Sequence, residues 1–527
     1  MHAPDLATAA KAVDIARAIT SRTAAHLAGS NIDDHQVLAY DLAHAASAGE
    51  MAGTMLAYGE KGDVEASMAC AFAAEAVVDL AGRLLGREDE WGVEAGILDE
   101  ATALVRPWRS PAFLASLAAE QGPRHLEADF EMVQDTFRRF AEDKIRPAAE
   151  HIHRTNADIP EEIISGLAEM GGFGLSVPEE YGGFASGGES DYMGMVVATE
   201  ELSRGSLGVG GSLITRPEIL TRALVKGGTE AQKHEWLPKL ASAEVMAAVA
   251  VTEPDFGSDV AGLKVTATPR DGGWVINGVK TWCTFAARAD AFMLLARTDP
   301  DRSKTHRGLS LFIVPKPRGD GHGFQFDQAE GGRMEGRAID TIGYRGMHSY
   351  EVAFDSWFVR DDCLIGGEAG LGRGFYFQME GFENGRLQTA ARAVGVMQAA
   401  YEAAVEYAAN RSVFGSAVGD YQLTKVKLAR MAVTIQASRQ LAYSVAALMG
   451  RGEGALEASM VKAYVCRAAE WVTREAMQIH GGMGYAEEFP VSRYFVDARV
   501  LSIFEGADEI LALKVIARRL VERAAKA

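Results

Sequence analysis

Residues 478–511 read QIHGGMGYAEEFPVSRYFVDARVLSIFEGADEIL. A helical pattern runs into the pair Gly481-Gly482, with Gly484 close behind. Such a pair stops a helix. Three small residues also leave backbone amides bare enough for a phosphate to approach, and Gln478 can add a side-chain donor. A glycine pair alone would be only a helix cap, and His480, with nothing nearby to pair with, reads as structural. Further on, Glu505 stands between Phe504 and Gly506 at the start of another apolar helical pattern. Burying a carboxylate among such neighbours is costly. Apolar surroundings, however, raise a carboxyl's pKa toward the range where it works as a general base near neutral pH. Asp508 and Glu509 read as ordinary surface acids at a helix N-terminus.

The rest of the chain sets bounds on what this stretch can do. A length of 527 residues suggests three or four domains. No long uninterrupted apolar run is present, so no transmembrane helix is expected. The N-terminus lacks a basic start followed by an apolar core, so no secretory signal is expected. Cys70, Cys283, Cys363 and Cys466 lie far apart and form no CxxC. That fits reduced cytoplasmic thiols better than a disulfide framework or a zinc site. A net charge of −19 repels nucleic acid and anionic membranes, so neither is expected as a partner. A polyphosphate ligand would need a local site built from backbone N–H groups and a few arginines.

The texture along the chain is helical, then helical, then β, then helical. Residues 1–122 are alanine-rich and read as a helical extension, with Gly86 as a plausible helix stop. Residues 123–244 form a second helical region. Phe130, Val133, Phe137 and Phe140 share one face there, and Pro147 is expected to end or kink the helix. Residues 245–365 read as a β-domain in which WVINGVKTW is a hairpin turning at Asn277-Gly278. Residues 366–527 return to helices. DDHQVLAYDL near residue 36 echoes DYQLTKVKL near 422, and EASM occurs at 65–68 and again at 457–460. Either alanine-rich helices coincide by chance, or the extension is a degenerate copy of part of the C-terminal helices.

Three further motifs carry possible chemistry. AVTEPDFGSDVAG (250–262) is a strand exit whose turn bares backbone N–H groups and the Ser258 hydroxyl. In KTWCT (280–284), Trp282 and Thr284 lie two apart and would face one side of a strand, an indole beside a hydroxyl suited to a flat heteroaromatic ring. In RSVFG (411–415), Arg411 can pair with a phosphate and Phe414 offers a stacking face. Each has a plain structural alternative: a loop exit, a half-buried tryptophan, a solvated arginine.

Taken together and in order, TEPDFGSD, KTWCT, RSVFG, the 478–497 pattern and FEG resemble the acyl-CoA dehydrogenase family over residues 126–527. The resemblance implies an α+β, mainly α fold: a helical domain, a β-barrel-like middle domain and a C-terminal helical bundle, here with an extra N-terminal helical domain. It implies FAD as cofactor, an acyl-CoA substrate and, as electron acceptor, an electron-transferring flavoprotein. Val251 and Thr252 would bond the flavin pyrimidine edge, with Ser258 nearby. Trp282 would pack on the isoalloxazine, and Thr284 would reach N5. Arg411, Phe414, Gln422, Gln478, Gly481 and Gly482 would hold the adenine and pyrophosphate, in this family largely for a neighbouring subunit. Ser258, Glu383 and Arg386 match substrate or CoA contacts. Glu505 falls on the catalytic base, its backbone N–H and the ribityl 2′-hydroxyl stabilising the thioester oxygen. Gly385 matches the alternative position of the base in a few members and cannot serve, which strengthens Glu505. An oxidase shares these motifs, and a non-catalytic DNA-binding relative is disfavoured by the net charge and the intact FEG.

The motif neighbours depart from the family pattern at Phe256, Phe285 and Ala507. The two phenylalanines are expected to shorten the acyl pocket. The length, the helical N-terminal extension and these altered neighbours resemble one branch of the family, and that resemblance implies as substrate a short branched acyl-CoA with a terminal carboxylate, methylsuccinyl-CoA oxidised to mesaconyl-CoA, with a neutral thioester such as isovaleryl- or butyryl-CoA as the alternative. A buried carboxylate needs a cationic or multi-donor partner. Arg216 is the candidate, with Arg345, His348 and Tyr350 as fallbacks. The extension is expected to pack on the catalytic body and to favour a homodimer over the tetramer common in the family.

Overall fold

The computed structural model describes residues 3–329 and 331–526. The alanine-rich extension forms three long helices, α1 (Leu6–His26), α2 (Gln36–Gly59) and α3 (Asp63–Leu84). Asp5 caps α1 by accepting the Thr8 N–H at 3.1 Å. Gly86, at φ +78°, lies just past the end of α3. The chain folds as two compact units, one made of residues up to Met132 together with those from Thr389 onward, the other of Val133–Gln388. The extension therefore shares a unit with the C-terminal helices.

In the first unit, α2 and α3 pack on the helices Gln422–Gly450 and Ala455–His480. Ala39 and Ala43 of α2 share a buried core with Leu456, Met460, Ala463, Ala512 and Ile516. Small side chains at such contacts let helix axes approach closely. Apolar burial supplies most of this docking. Ion pairs such as Lys514–Asp33 at 2.5 Å are half exposed and add little. The sequence echo falls on matching places: Gln36 and Gln422 each open a long helix, and both EASM copies lie at the start of one.

In the second unit, Pro147 does not end the helix that precedes it. The wider turn Ala141–Ile145 joins Ala128–Phe140 to Arg146–Thr155, and Pro147 sits in the first turn of the latter. The extra residue per turn relieves the clash and the missing donor. The break comes instead at Asn156, in the left-handed region at φ +55°.

An eight-stranded sheet fills the middle of this unit: β1 (Ala247–Ala250), β2 (Thr266–Arg270), β3 (Gly273–Thr284), β4 (Ala291–Arg297), β5 (Leu309–Pro315), β6 (Gly323–Asp327), β7 (Arg333–Ile339) and β8 (Ser349–Arg360). The order is β1-β4-β2-β3-β8-β7-β6, with β5 on β4. Leu220, Leu224, Leu237 and Leu240 from two helices pack with Met293, Leu295, Leu311 and Ile313 from β4 and β5. The hairpin expected at Asn277-Gly278 is not there, because β3 runs straight through it. The turn into β3 is made by Asp271-Gly272, and Gly278 (φ +128°) is a bulge where the β3–β8 register shifts. The Asn277 side chain accepts the Ser356 N–H at 2.8 Å, and a Cβ on Gly278 would meet Val265 at 2.8 Å. Asparagine and glycine thus serve the bulge rather than a turn. Among the described residues, no helix is long and apolar enough to cross a membrane.

Candidate active site

Within the second unit, the TEP loop and the KTWCT strand are locked together. The Thr281 N–H donates to the Thr252 carbonyl at 2.8 Å. Lys280, wholly buried, donates to the Val251 carbonyl at 2.8 Å and to Glu253 at 2.9 Å. Glu253 also accepts the backbone N–H groups of Lys264 and Val265, at 2.7 and 2.9 Å. The loop carrying Val251, Thr252 and Ser258 is thereby fixed against the end of β3. Val251 is buried, Thr252 half-buried and Ser258 exposed.

Trp282 and Thr284 differ in exposure, and regular strand pairing is interrupted just before Cys283. Trp282 has φ +58° at a register shift between Lys280 and Cys283. Its side chain is exposed, whereas Thr284 is buried, with its hydroxyl 3.0 Å from that of Ser349. A flat apolar surface is therefore presented outward beside a buried hydroxyl pair. A non-glycine residue persists in this backbone region only where its surroundings hold it, and such strain concentrates at functional sites.

The expected substrate residues lie on helices of the same unit. Arg216 is buried in the first turn of Thr215–Gly227, donating to the Ser212 carbonyl at 3.2 Å and the Thr215 hydroxyl at 3.1 Å. It is not a surface residue. Glu383 is half-buried and Arg386 buried on the helix Gly374–Asn410. The three fallbacks are engaged elsewhere. Arg345 donates to the His153 and Thr341 carbonyls, His348 lies 3.1 Å from Asp158, and Tyr350 donates to the Gly321 carbonyl. Phe256 folds back against Gly262 with the Lys264 ammonium 5.0 Å from its ring, and Phe285 is buried beneath the Arg288 guanidinium. Both rings are held by local packing.

In the first unit, RSVFG forms a tight hairpin of strands Ser412–Val413 and Ser416–Ala417, with Phe414 fully exposed at its tip. Gln422 starts the next helix, and Tyr421 pins the hairpin by donating to the Val413 carbonyl at 2.7 Å. The Arg411 N–H donates to the Tyr407 carbonyl, and the Tyr407 ring stacks on His480 with centroids 4.3 Å apart. His480 therefore joins the hairpin root to the glycine pair, a structural role. Arg411, Phe414, Gln422, Gln478, Gly481 and Gly482 all face solvent. A Cβ at Gly481 or Gly482 would meet nothing within 4 Å. Open backbone, an arginine, two amide side chains and a bare aromatic face suit a nucleotide with a pyrophosphate.

Glu505 lies in the loop between the helix Val491–Leu501 and the short helix Asp508–Ile510. Its φ is +56° and that of Gly506 is +101°. Its side chain is 10% exposed, and its Oε1 lies 3.7 Å from Nη2 of the wholly buried Arg392. Arg392 also donates to the Thr389 hydroxyl at 2.7 Å and sits 4.8 Å from the Phe504 ring centre. Lys462 donates to the Gly506 carbonyl at 2.5 Å. Asp508 is not the surface acid expected: it is 6% exposed, accepts the Tyr40 hydroxyl at 2.6 Å and has His44 at 3.2 Å. Glu509 is exposed as expected. Arg392, Lys462 and Tyr40 escaped the sequence reading. An arginine inside the mostly apolar AARAVGVMQAA was the one available signal.

Three descriptions match in chain order: the acyl-CoA dehydrogenase N-terminal domain at 127–244, the middle domain at 248–357 and the C-terminal domain at 372–521. The chain is 44% identical to (2S)-methylsuccinyl-CoA dehydrogenase of Cereibacter sphaeroides, over 83% of this chain and 79% of that protein. Among solved structures, it resembles a glutaryl-coenzyme A dehydrogenase in complex with glutaryl-CoA, at 31% identity and a TM-score of 0.69, covering 76% of this chain and 96% of that one. It also resembles a chain from a structure of the electron transferring flavoprotein of Acidaminococcus fermentans, at 30% identity and a TM-score of 0.67, covering 76% and 98%. With these matches running through both groups of site residues, the chain belongs to the acyl-CoA dehydrogenase family, enzymes that bind FAD and oxidise acyl-CoA substrates.

Proposed function

We propose that the substrate is methylsuccinyl-CoA, oxidised to mesaconyl-CoA with Glu505 as the base. The observation that carries this reading is the 44% identity to a (2S)-methylsuccinyl-CoA dehydrogenase. Glu505 takes the proton α to the thioester carbonyl. Its backbone N–H donates to the thioester oxygen as charge gathers there. Val251, Thr252, Trp282 and Thr284 would hold the flavin of FAD, which would supply the acceptor for the β-hydrogen leaving as hydride. The buried Arg216 binds the distal carboxylate, the charge that most needs a cationic partner once water is excluded.

The electron acceptor is an electron-transferring flavoprotein, a reading supported by the likeness to the Acidaminococcus fermentans chain. Four free, buried cysteines support a reducing, cytoplasmic setting. The assembly is a homodimer, because α2 and α3 cover a face of the C-terminal helices that would otherwise be open to a second dimer.

Turnover on methylsuccinyl-CoA, isovaleryl-CoA and butyryl-CoA tests the substrate. A higher kcat/KM on either neutral thioester refutes it. If methylsuccinyl-CoA wins but Arg216→Ala leaves its kcat/KM unchanged, only the role of Arg216 falls. Light scattering at tetramer mass would refute the dimer.

A further inference from the structure

We propose that the N-terminal extension positions the catalytic loop: Tyr40, backed by His44, holds Asp508 so that the loop keeps Glu505 in its working orientation. The proposal rests on Glu505 being the base.

Loop 502–508 has an improbable backbone. Glu505, with a side chain, occupies the left-handed region at φ +56°, and Gly506 follows at φ +101°. Such a conformation persists only when neighbouring contacts over-determine it. The Asp508 N–H closes the loop on the Ser502 carbonyl at 3.1 Å. Lys462 grips the Gly506 carbonyl, and Arg392 stands beside the Glu505 carboxylate. Asp508 is the loop's far end, and its side chain is held by α2.

Tyr40 and His44 lie one turn apart on α2 and so face the same way. Their rings meet edge to face, with centroids 4.5 Å apart. Both reach the same carboxylate oxygen, Oδ2 of Asp508, at 2.6 and 3.2 Å. Burial, and then the bond to Asp508, pushes the Tyr40 hydroxyl up to about 12, so it remains a donor at neutral pH. Ala39 and Ala43, adjacent on the same helix, lie in the apolar core shared with Ala512 and Ile516, just beyond the loop. A helix docked only for stability needs that apolar seam. It does not need a tyrosine hydroxyl aimed at a buried carboxylate three residues from the base.

Tyr40→Phe removes one hydroxyl and keeps the ring packing. Anaerobic flavin reduction by methylsuccinyl-CoA should slow about tenfold, the scale of one hydrogen bond to a charged group. FAD content and acyl-CoA affinity should stay unchanged while the thermal midpoint falls modestly with the lost bond, so the rate falls without a matching loss of binding, a split that a purely structural role would not give. Asp33→Asn cuts the Lys514 tether near the start of α2 and should leave the rate unchanged. If Tyr40→Phe reduces flavin at the wild-type rate, or if Asp33→Asn slows reduction equally, the positioning role is overturned. Glu505→Gln, run alongside, separates the two claims. If it keeps its rate, the base assignment fails and this proposal loses its footing. If it is inactive while Tyr40→Phe is normal, only the positioning role fails.

Discussion

Arg392 and Glu505 stand 3.7 Å apart, Nη2 to Oε1, with the guanidinium wholly buried and the carboxylate side chain nearly so. A cation so placed limits how that carboxylate can turn. Arg392→Met should lower kcat on the best substrate by more than about tenfold while leaving KM nearly unchanged, since the loss falls on the reacting arrangement. Steady-state kinetics check this, with circular dichroism to confirm the fold. A change confined to KM would place Arg392 outside the chemistry.

Glu505→Gln keeps the shape of the side chain and removes its basicity. Dehydrogenation should fall by on the order of 10²–10⁴-fold. FAD and acyl-CoA should still bind, the latter seen as a shift in the flavin spectrum without bleaching. Turnover near that of the wild type would move the base elsewhere.

Lys280→Met strands Glu253 in the interior, where it now pairs with Lys280 at 2.9 Å. Breaking a buried pair from one side costs about 3–5 kcal/mol. The variant should unfold at a clearly lower denaturant concentration. Adding Glu253→Gln should restore part of the loss, because the unpaired charge is then gone. A single variant as stable as wild type would show that the pair adds nothing to the β-domain.

Docking of the extension should weaken in acid. Burial alone would raise the Asp508 carboxyl, but His44 and Tyr40 together hold it below its ordinary 3.8. That stability is present above the unfolded value and is lost as pH falls through the folded one. His44 acts in the same direction from higher pH. Burial lowers it below 6.5, so the folded state resists a proton that the unfolded chain accepts as the medium acidifies. Limited proteolysis of α1–α3 between about pH 7 and 3 should show increasing cleavage. Asp508→Asn should remove the lower step of that profile, and a profile identical to wild type would refute the linkage.

Much of this protein is legible in its sequence because the information is local. The glycine pair at 481–482, the TEP turn and the placement of Glu505 beside Gly506 are short stretches whose backbone demands are written in adjacent residues. Helix texture and the family motifs are local too. Other features depended on distant parts of the chain. Asn277-Gly278 has the composition of a turn, yet pairing with β8 and the approach of Val265 make it a bulge. Alternation puts Trp282 and Thr284 on one side, yet beside a register shift against β8 one is exposed and the other buried. Asp508 looks like a surface helix acid until α2, more than four hundred residues earlier in the chain, brings Tyr40 to within 2.6 Å of it. Composition and spacing determined which helices and strands exist and which chemistry they can carry. Burial, register and charge pairing between remote segments were decided only by the tertiary structure, because the energy of a buried polar group depends on which partner folding brings to it.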